Sequence, residues 1–349
     1  MRIFVNFHDL VGVTVETESE AAGEFFAAEY GHHLVDALPE GVPQIKLHFR
    51  QSAGFSAPRG YTLHTHKALA RWAYRLRFDA RRIEIEAIGN HMAVPMVHHM
   101  MVHPSLRYLS AMQGVLMLHA GAVTSGGRSL ILTGHGGAGK TTTTSILLDA
   151  GGEAWGLHAD DYVFLEDGPQ SLAYLTRAHL YLPLLQWVPD LPARLTAGER
   201  VRLEVFGRVR AWSQERIKWP LRLDLQRLWP GRNLVMRAAP AALVILERAD
   251  VSTPEAIRLK DADFPLDALM AMNFNEARHF IHLVRKSAAV PDIDSWLDDW
   301  RAKERNLLDA RRREIPAFVL RLPKHADDLE TARHQVVDGI TAILNAPEN

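Results

Sequence analysis

The chain has 349 residues, 47% hydrophobic and 23% charged, which is enough apolar material for one large or two ordinary domains and excludes a disordered chain. Lys and Arg number 40 against 41 Asp and Glu, so neither a polybasic nucleic-acid binder nor an acidic-tail protein is expected. Cysteine is absent, which removes disulfides, thiolate metal sites and cysteine nucleophiles.

Residues 1 to about 105 read as a small α+β module. Arg2–Phe7 and Val11–Glu16 are predicted strands around a turn at Asp9–Leu10. Ser19 is placed to cap a helix over Glu20–Tyr30 that Gly31 stops. Gln44–Arg50 and Arg82–Ala87 alternate apolar and polar, the period of half-buried strands. Pro95–Met112 is helical in pattern, with a break or kink expected at Pro104. Beyond this point strand and helix alternate, the signature of an α/β core. Leu118–Val123 and Leu130–Thr133 are strands, Thr141–Ala150 a helix ended by Gly151-Gly152, and Trp155–Leu157 and Val163–Leu165 strands. Residues 172–237, rich in Pro, Trp and Arg, carry no clear period. Ala242–Glu247 is a buried strand, Pro265–Phe274 and Ala277–Val284 are helices, Phe318–Leu322 is a strand and 326–344 a helix. No apolar run approaches the roughly 20 residues of a membrane span, and the first twenty residues lack the build of a signal peptide. A soluble cytoplasmic protein is expected.

The strongest signal is Gly134-His135-Gly136-Gly137-Ala138-Gly139-Lys140-Thr141, which meets GxxxxGK[ST] at every fixed position. An apolar strand precedes it and an apolar helix follows, which the chemistry requires. Gly134 leaves the strand in a conformation that a Cβ opposes. The loop amides then cradle phosphate oxygens, and the helix N-terminus faces the same anion. Lys140 is the candidate for the β- and γ-phosphates, the Thr141 hydroxyl for Mg²⁺, and Thr142 extends the binding segment.

Phosphoryl transfer also needs a metal-holding acid and a group that takes the acceptor's proton. Asp160 and Asp161 follow Trp155–Leu157, about twenty residues past Lys140, at a strand end where α/β sheets place ligand groups. One carboxylate suits Mg²⁺ and the other a proton from an attacking hydroxyl. His119, just before Ala120-Gly121-Ala122, is either a packed core histidine or a group facing the γ-phosphate.

Three pieces in this order, LHAGAV (Leu118–Val123), GHGGAGKT (Gly134–Thr141) and LHADD (Leu157–Asp161), resemble the HPr kinase/phosphorylase family and its wider HPr-kinase-like set over about residues 116–166. The resemblance implies a P-loop kinase domain of the HPr kinase and phosphoenolpyruvate carboxykinase type over 106–349, after the N-terminal module of 1–105. It implies ATP and Mg²⁺ as cofactors. It also implies active-site roles for His119, Lys140, Thr141, Asp160 and Asp161, and assembly of copies through the kinase domain. The downstream signature of the bifunctional enzymes is matched only by Leu203–Arg208, and poorly, so the resemblance implies neither phosphorylase activity nor HPr as the acceptor and leaves both open. The N-terminal module better suits stand-alone HPr-kinase-like proteins, some of which act on ribosomally made peptides. The expected reaction is transfer of the ATP γ-phosphoryl group to a hydroxyl, a serine of a protein or peptide. The alternatives are a nucleotide-binding regulator or scaffold and a small-molecule kinase.

Residues 191–237 carry eleven Lys and Arg against four acidic residues, with Trp212, Trp219 and Trp229 interleaved. This stretch is a surface for an acidic protein or peptide acceptor, a segment that closes over the ATP phosphates, or a solvated face over packed tryptophans. Arg177 is a candidate clamp on the transferring group. His99 with His103, and His64 with His66, read as incidental histidines, and Arg311–Arg313 as a solvated face or a helix C-terminal charge cap.

Overall fold

A computed structural model describes residues 1–52, 58–67, 69–215, 217, 219–325 and 328–346, with backbone alone for 64–67. The side chains of His64 and His66, the residues Arg216 and Lys218 of the basic stretch, and the first residues of the predicted 326–344 helix lie outside what it describes. The fold is mixed α/β and divides into two compact units. Met1–Met117 joins Leu266–Asp309 in one, and Leu118–Pro265 joins Ala310–Asn349 in the other. The first unit therefore runs past the expected boundary at 105 and takes in a segment from the second half of the chain.

The first unit is built on a seven-stranded sheet in the order Leu34–Val35, Arg2–Phe7, Val11–Thr17, Gln44–Gln51, Arg82–Gly89, Ala70–Asp79, Thr62–Lys67. Period-two alternation puts Ile45, Leu47, Ile83 and Ile85 into the core. Lys46, His48, Glu84 and Glu86 lie on the opposite face, where cross-strand pairs such as Arg75–Glu86 (2.6 Å) form. Ser19 caps the helix Glu20–Glu29 by accepting the Ala22 N–H at 3.3 Å. The expected kink at Pro104 takes a particular form. Ala93–Val97 is α-helical, His98–Val102 is one π-helical stretch, and His103–Met112 is α-helical again. Proline lacks the N–H a regular ladder needs, and the His103 N–H instead reaches His98 O, the wider turn that accommodates the ring.

A buried charge network explains why Leu266–Asp309 belongs to this unit. Arg107 Nε donates to Glu304 Oε1 at 2.7 Å, and its other nitrogens donate to Glu304 Oε2 and Asn273 O. Trp300 Nε1 (2.8 Å) and Asn273 Nδ2 (3.2 Å) complete the carboxylate's partners. The helix Ile293–Glu314, absent from the sequence reading, buries Leu297, Trp300, Glu304 and Leu308 on one face. Its last turn holds Arg311–Arg313 as a C-terminal charge cap would, but Arg311 is buried and bonded to Gly168 O (3.0 Å) and Asp167 (2.6 Å) rather than solvated.

The second unit carries an eight-stranded sheet. At its centre Arg128–Thr133, Arg237–Ala249 and Ala317–Pro323 run parallel. Leu116–Ser125 pairs antiparallel with Arg128–Thr133 on one side and Trp155–Ala159 on the other. The helices Lys140–Ala150 and Leu329–Leu344 bury Ile146, Leu147, Val336 and Ile340 with Leu130, Leu132, Val244 and Leu320 of the strands. Asp149 ties the helices together through Arg333 (2.7 Å) and binds Arg194 (2.9 Å). The unread stretch 172–237 contains a two-stranded sheet, Ala178–Leu180 with Leu221–Leu223, and the helix Ala197–Trp212. A capping box between Thr196 and Glu199 starts that helix.

Candidate functional site

Register brings the predicted pieces to one sheet edge. Ala120 lies opposite Thr133, the last strand residue before Gly134. Ala122 lies opposite Ala159, the last before Asp160. Both partner strands are antiparallel to Leu116–Ser125, so both end at the same edge. The glycine loop and the aspartates are then about two strand spacings apart, roughly 10 Å. His119 sits at that edge between them. Gly121 marks the packing there. A Cβ on it would come 2.7 Å from Thr144 Oγ1 in the loop's helix and 3.5 Å from Asp160 O.

The loop has the geometry its sequence demands. Gly134, Gly137 and Gly139 have φ of +144°, +86° and +110°, which L side chains rarely adopt. A Cβ at Gly134 would also meet Leu246 O at 2.7 Å, because the neighbouring parallel strand passes directly beside it. His135, Gly136 and Gly137 are exposed, while Ala138 is buried and anchors the loop. Lys140 opens the helix and is buried. Its Nζ donates to Gly134 O at 2.8 Å, with His135 O at 3.5 Å, so the ammonium lies on the loop's own carbonyls. Thr141 and Thr142 are half-buried in the helix's first turn.

The aspartates differ in setting. Asp161 Oδ1 lies 3.1 Å from His119 Nε2, and the His119 ring stacks on Tyr162 at 5.0 Å. His119 is therefore a site-edge residue paired with a carboxylate, not a sealed core histidine. Asp160 Oδ2 accepts the His179 backbone N–H at 3.4 Å. Burial pushes Asp160 up to about 7, the charge of Asp161 adds to this, and the His179 N–H opposes it. Behind the pair stands Tyr181, raised above the ordinary phenol range chiefly by burial, with Arg210 over its ring at 5.1 Å.

His158, just before Ala159-Asp160, holds this strand from inside. It is fully buried, with Nδ1 2.6 Å from Val235 O and Nε2 2.9 Å from Ser171 Oγ, which lies 2.8 Å from Ser129 Oγ. With Nδ1–H donating to the Val235 carbonyl, Nε2 and Ala238 O, the latter 3.0 Å from Ser171 Oγ, compete for the one Ser171 hydroxyl proton.

Arg248 was missed by sequence reasoning. The strand Arg237–Ala249 outruns the predicted Ala242–Glu247 and carries Arg248 past the end of Arg128–Thr133 to the loop. Its Nη2 is 3.0 Å from where a Gly139 Cβ would stand, and its Nη1 donates to Pro323 O at 2.8 Å. Burial holds its pKa below the usual arginine value, and among the described residues no carboxylate pairs with it. The signal available was a cation at a parallel strand's C-terminal end. Arg177 precedes the strand Ala178–Leu180, whose His179 N–H bonds Asp160, and Arg248 is an arginine that the geometry brings to the loop.

Part of the basic stretch is paired with carboxylates. Arg194 binds Asp149, Arg227 binds Glu199 (2.5 Å) and Arg210 binds Glu215 (3.0 Å). Trp229 is buried and Trp219 packs on Phe206, leaving Trp212 exposed at 82%. Among the described residues no three His, Asp or Glu are grouped to hold a metal by themselves. The oxygen donors at this edge, the Thr141 hydroxyl and the two aspartates, are of the type Mg²⁺ takes alongside phosphate oxygens and water. No helix among them is long and apolar enough to cross a membrane.

Comparison with models of known protein families finds no match, and comparison with curated protein sequences finds none either.

Proposed function

We propose that this chain is an ATP-dependent kinase of the HPr-kinase-like P-loop type, transferring the γ-phosphoryl group to the hydroxyl of a serine in a protein or peptide. The observation that carries the reading is the common sheet edge, where the glycine loop, His119–Asp161, Asp160 and Arg248 end together. The exposed loop amides receive the phosphates as a nest, and the helix Lys140–Ala150 directs its N-terminus at them. Lys140 exchanges Gly134 O for phosphate oxygens. Thr141 and the aspartates would hold Mg²⁺, which would neutralise charge on the phosphates. Arg248 faces the same anion, which offsets the cost of its burial.

The acceptor oxygen attacks the γ-phosphorus in line. A new P–O bond forms, the bond to the β-phosphate oxygen breaks, ADP leaves, and the hydroxyl proton passes to one carboxylate of the pair. Positioning and electrostatics supply the rate. Exposed Arg200, Arg202 and Arg208 on the helix Ala197–Trp212 suit an acidic peptide or protein. The test is incubation with γ-labelled ATP, Mg²⁺ and a cell lysate, followed by mass spectrometry of the labelled species. Labelled serine and acceptor-dependent ADP release are expected. Tight ATP binding without turnover would identify a nucleotide-binding regulator instead, and a labelled metabolite a small-molecule kinase.

A further inference from the structure

We propose, resting on the kinase reading, that the acceptor is recruited by an element apart from its phosphorylated serine: an acidic amphipathic helix that lies along the exposed pole of the helix Ala197–Trp212.

This helix inverts the usual surface pattern. Leu203, Gly207 and Arg210 share its inner face. Leu203 is buried, a Cβ on Gly207 would meet Leu182 Cδ2 at 2.5 Å, and Arg210 lies over the Tyr181 ring at 5.1 Å. Val201, Val205, Arg208 and Trp212, spaced i, i+4, i+7 and i+11, fall on the opposite pole. A surface helix ordinarily turns charge to water there. This one turns out two valines and a tryptophan, exposed at 60%, 48% and 82%. The stripe runs for about three turns, roughly 16 Å. Apolar surface of this kind with a charged rim marks an interaction site.

The rim determines the occupant. Arg200, Arg202 and Arg208 are exposed around the stripe, and Glu204 is the one exposed acid of the helix, because Arg227 holds Glu199. A second copy of this chain would bring a stripe rimmed by the same arginines, like charge against like charge. A helix with apolar residues at the same spacing and Asp or Glu on its flanks meets the valines and the tryptophan with its stripe and the arginines with its carboxylates. The surface also adjoins the aspartates. The helix rests on Tyr181 and Leu182, and Tyr181 lies near enough to Asp160 and Asp161 to feel both charges. A partner bound along the helix is therefore held beside the pair that takes the acceptor's proton.

The test titrates the full chain with a fluorescent synthetic helical peptide that carries Leu at i, i+4, i+7 and i+11 and Glu on its flanks, read by anisotropy. A version with Lys for Glu and a scrambled version are the controls. The acidic peptide should bind at least about tenfold more tightly than either control, and less tightly as salt rises. Trp212→Ala, and Arg200→Glu with Arg202→Glu and Arg208→Glu, should each weaken it by about tenfold or more, with ATP affinity unchanged. All four side chains are exposed, so the variants keep the fold. Saturating acidic peptide should also suppress transfer of label from γ-labelled ATP to the acceptor in a cell lysate. Equal binding of the three peptides, no binding of any, unchanged affinity in the variants, or labelling indifferent to saturating peptide each overturns the proposal and leaves the kinase reading standing. Self-association, or binding to phosphatidylserine vesicles, that is lost in Trp212→Ala while the peptides bind alike assigns the face to a second copy or to a membrane instead. Peptide bound as expected with no label transferred by the unaltered chain overturns the kinase reading, and the acceptor's role with it.

Discussion

Two clusters of charge in this molecule have opposite characters. In the first unit Arg107 and Glu304 are sealed from water, and each is matched by the other and by Asn273 and Trp300. In the second, Lys140 rests on loop carbonyls, Arg248 has no acid partner among the described residues, and two aspartates stand side by side at a strand end. A matched buried network specifies structure and has no capacity left for a ligand. Like charges held together, and a cation half-buried without an acid, cost stability that a charged ligand offsets. This contrast, more than any single motif, supports the proposed placement of the site in the second unit.

The contrast breaks first at Lys140. Lys140→Ala should reduce phosphoryl transfer by about 10³-fold or more with the melting temperature little changed, as measured by labelled transfer and thermal denaturation. A melting loss comparable with the loss of rate would make the ammonium structural. Glu304→Gln should do the reverse. It leaves Arg107 as a buried charge without its counterion, at a cost of roughly 3–5 kcal/mol in denaturant unfolding, with nucleotide affinity in the surviving folded fraction unchanged. Arg107→Met with Glu304→Leu should recover much of that loss. If it does not, the network contributes more than paired burial.

Gly121→Ala sharpens the packing between loop helix and aspartates. Its Cβ would meet Thr144 Oγ1 at 2.7 Å, and overpacking of this kind costs roughly 1–3 kcal/mol. Adding Thr144→Ala should restore part of the stability. A double variant no better than the single would show that the contact lies elsewhere. A pH-dependent effect concerns His33, packed against Phe7 in the first unit. Burial, with the charges of His8 and His32, holds it down to about 3. The unfolded chain takes up a proton near pH 6.5 that the fold refuses until about 3. Stability is therefore complete above the unfolded value and falls as pH drops through that window, by up to roughly 1.4 kcal/mol per pH unit. His33→Phe should flatten that slope in unfolding curves between pH 7 and 4.

The site was legible where local rules sufficed. Gly134–Thr141 is a contiguous pattern whose flanking strand and helix are visible from apolar runs, and Asp160-Asp161 follows a strand at readable distance. Arg248 was not legible, because its role comes from parallel pairing with a strand over one hundred residues earlier. The helix Ile293–Glu314 was hidden for a related reason: its buried stripe, Leu297, Trp300, Glu304, Leu308 and Arg311, includes two charged residues, so apolar period alone does not reveal it. Glu304 makes sense inside only once Arg107 is beside it, 197 positions away in sequence. That pairing also moves the expected boundary at 105 to Met117. The stretch 172–237 does carry one local signal, the Thr196–Glu199 capping box that starts the helix Ala197–Trp212.

The most direct measurement is γ-phosphoryl transfer by the intact chain beside Asp160→Asn and Asp161→Asn, with ATP affinity determined for all three. A single site shared by loop and aspartates predicts a labelled serine with the unaltered chain, transfer lost in both variants, and ATP still bound by each. Transfer at an unaltered rate in both variants would contradict it.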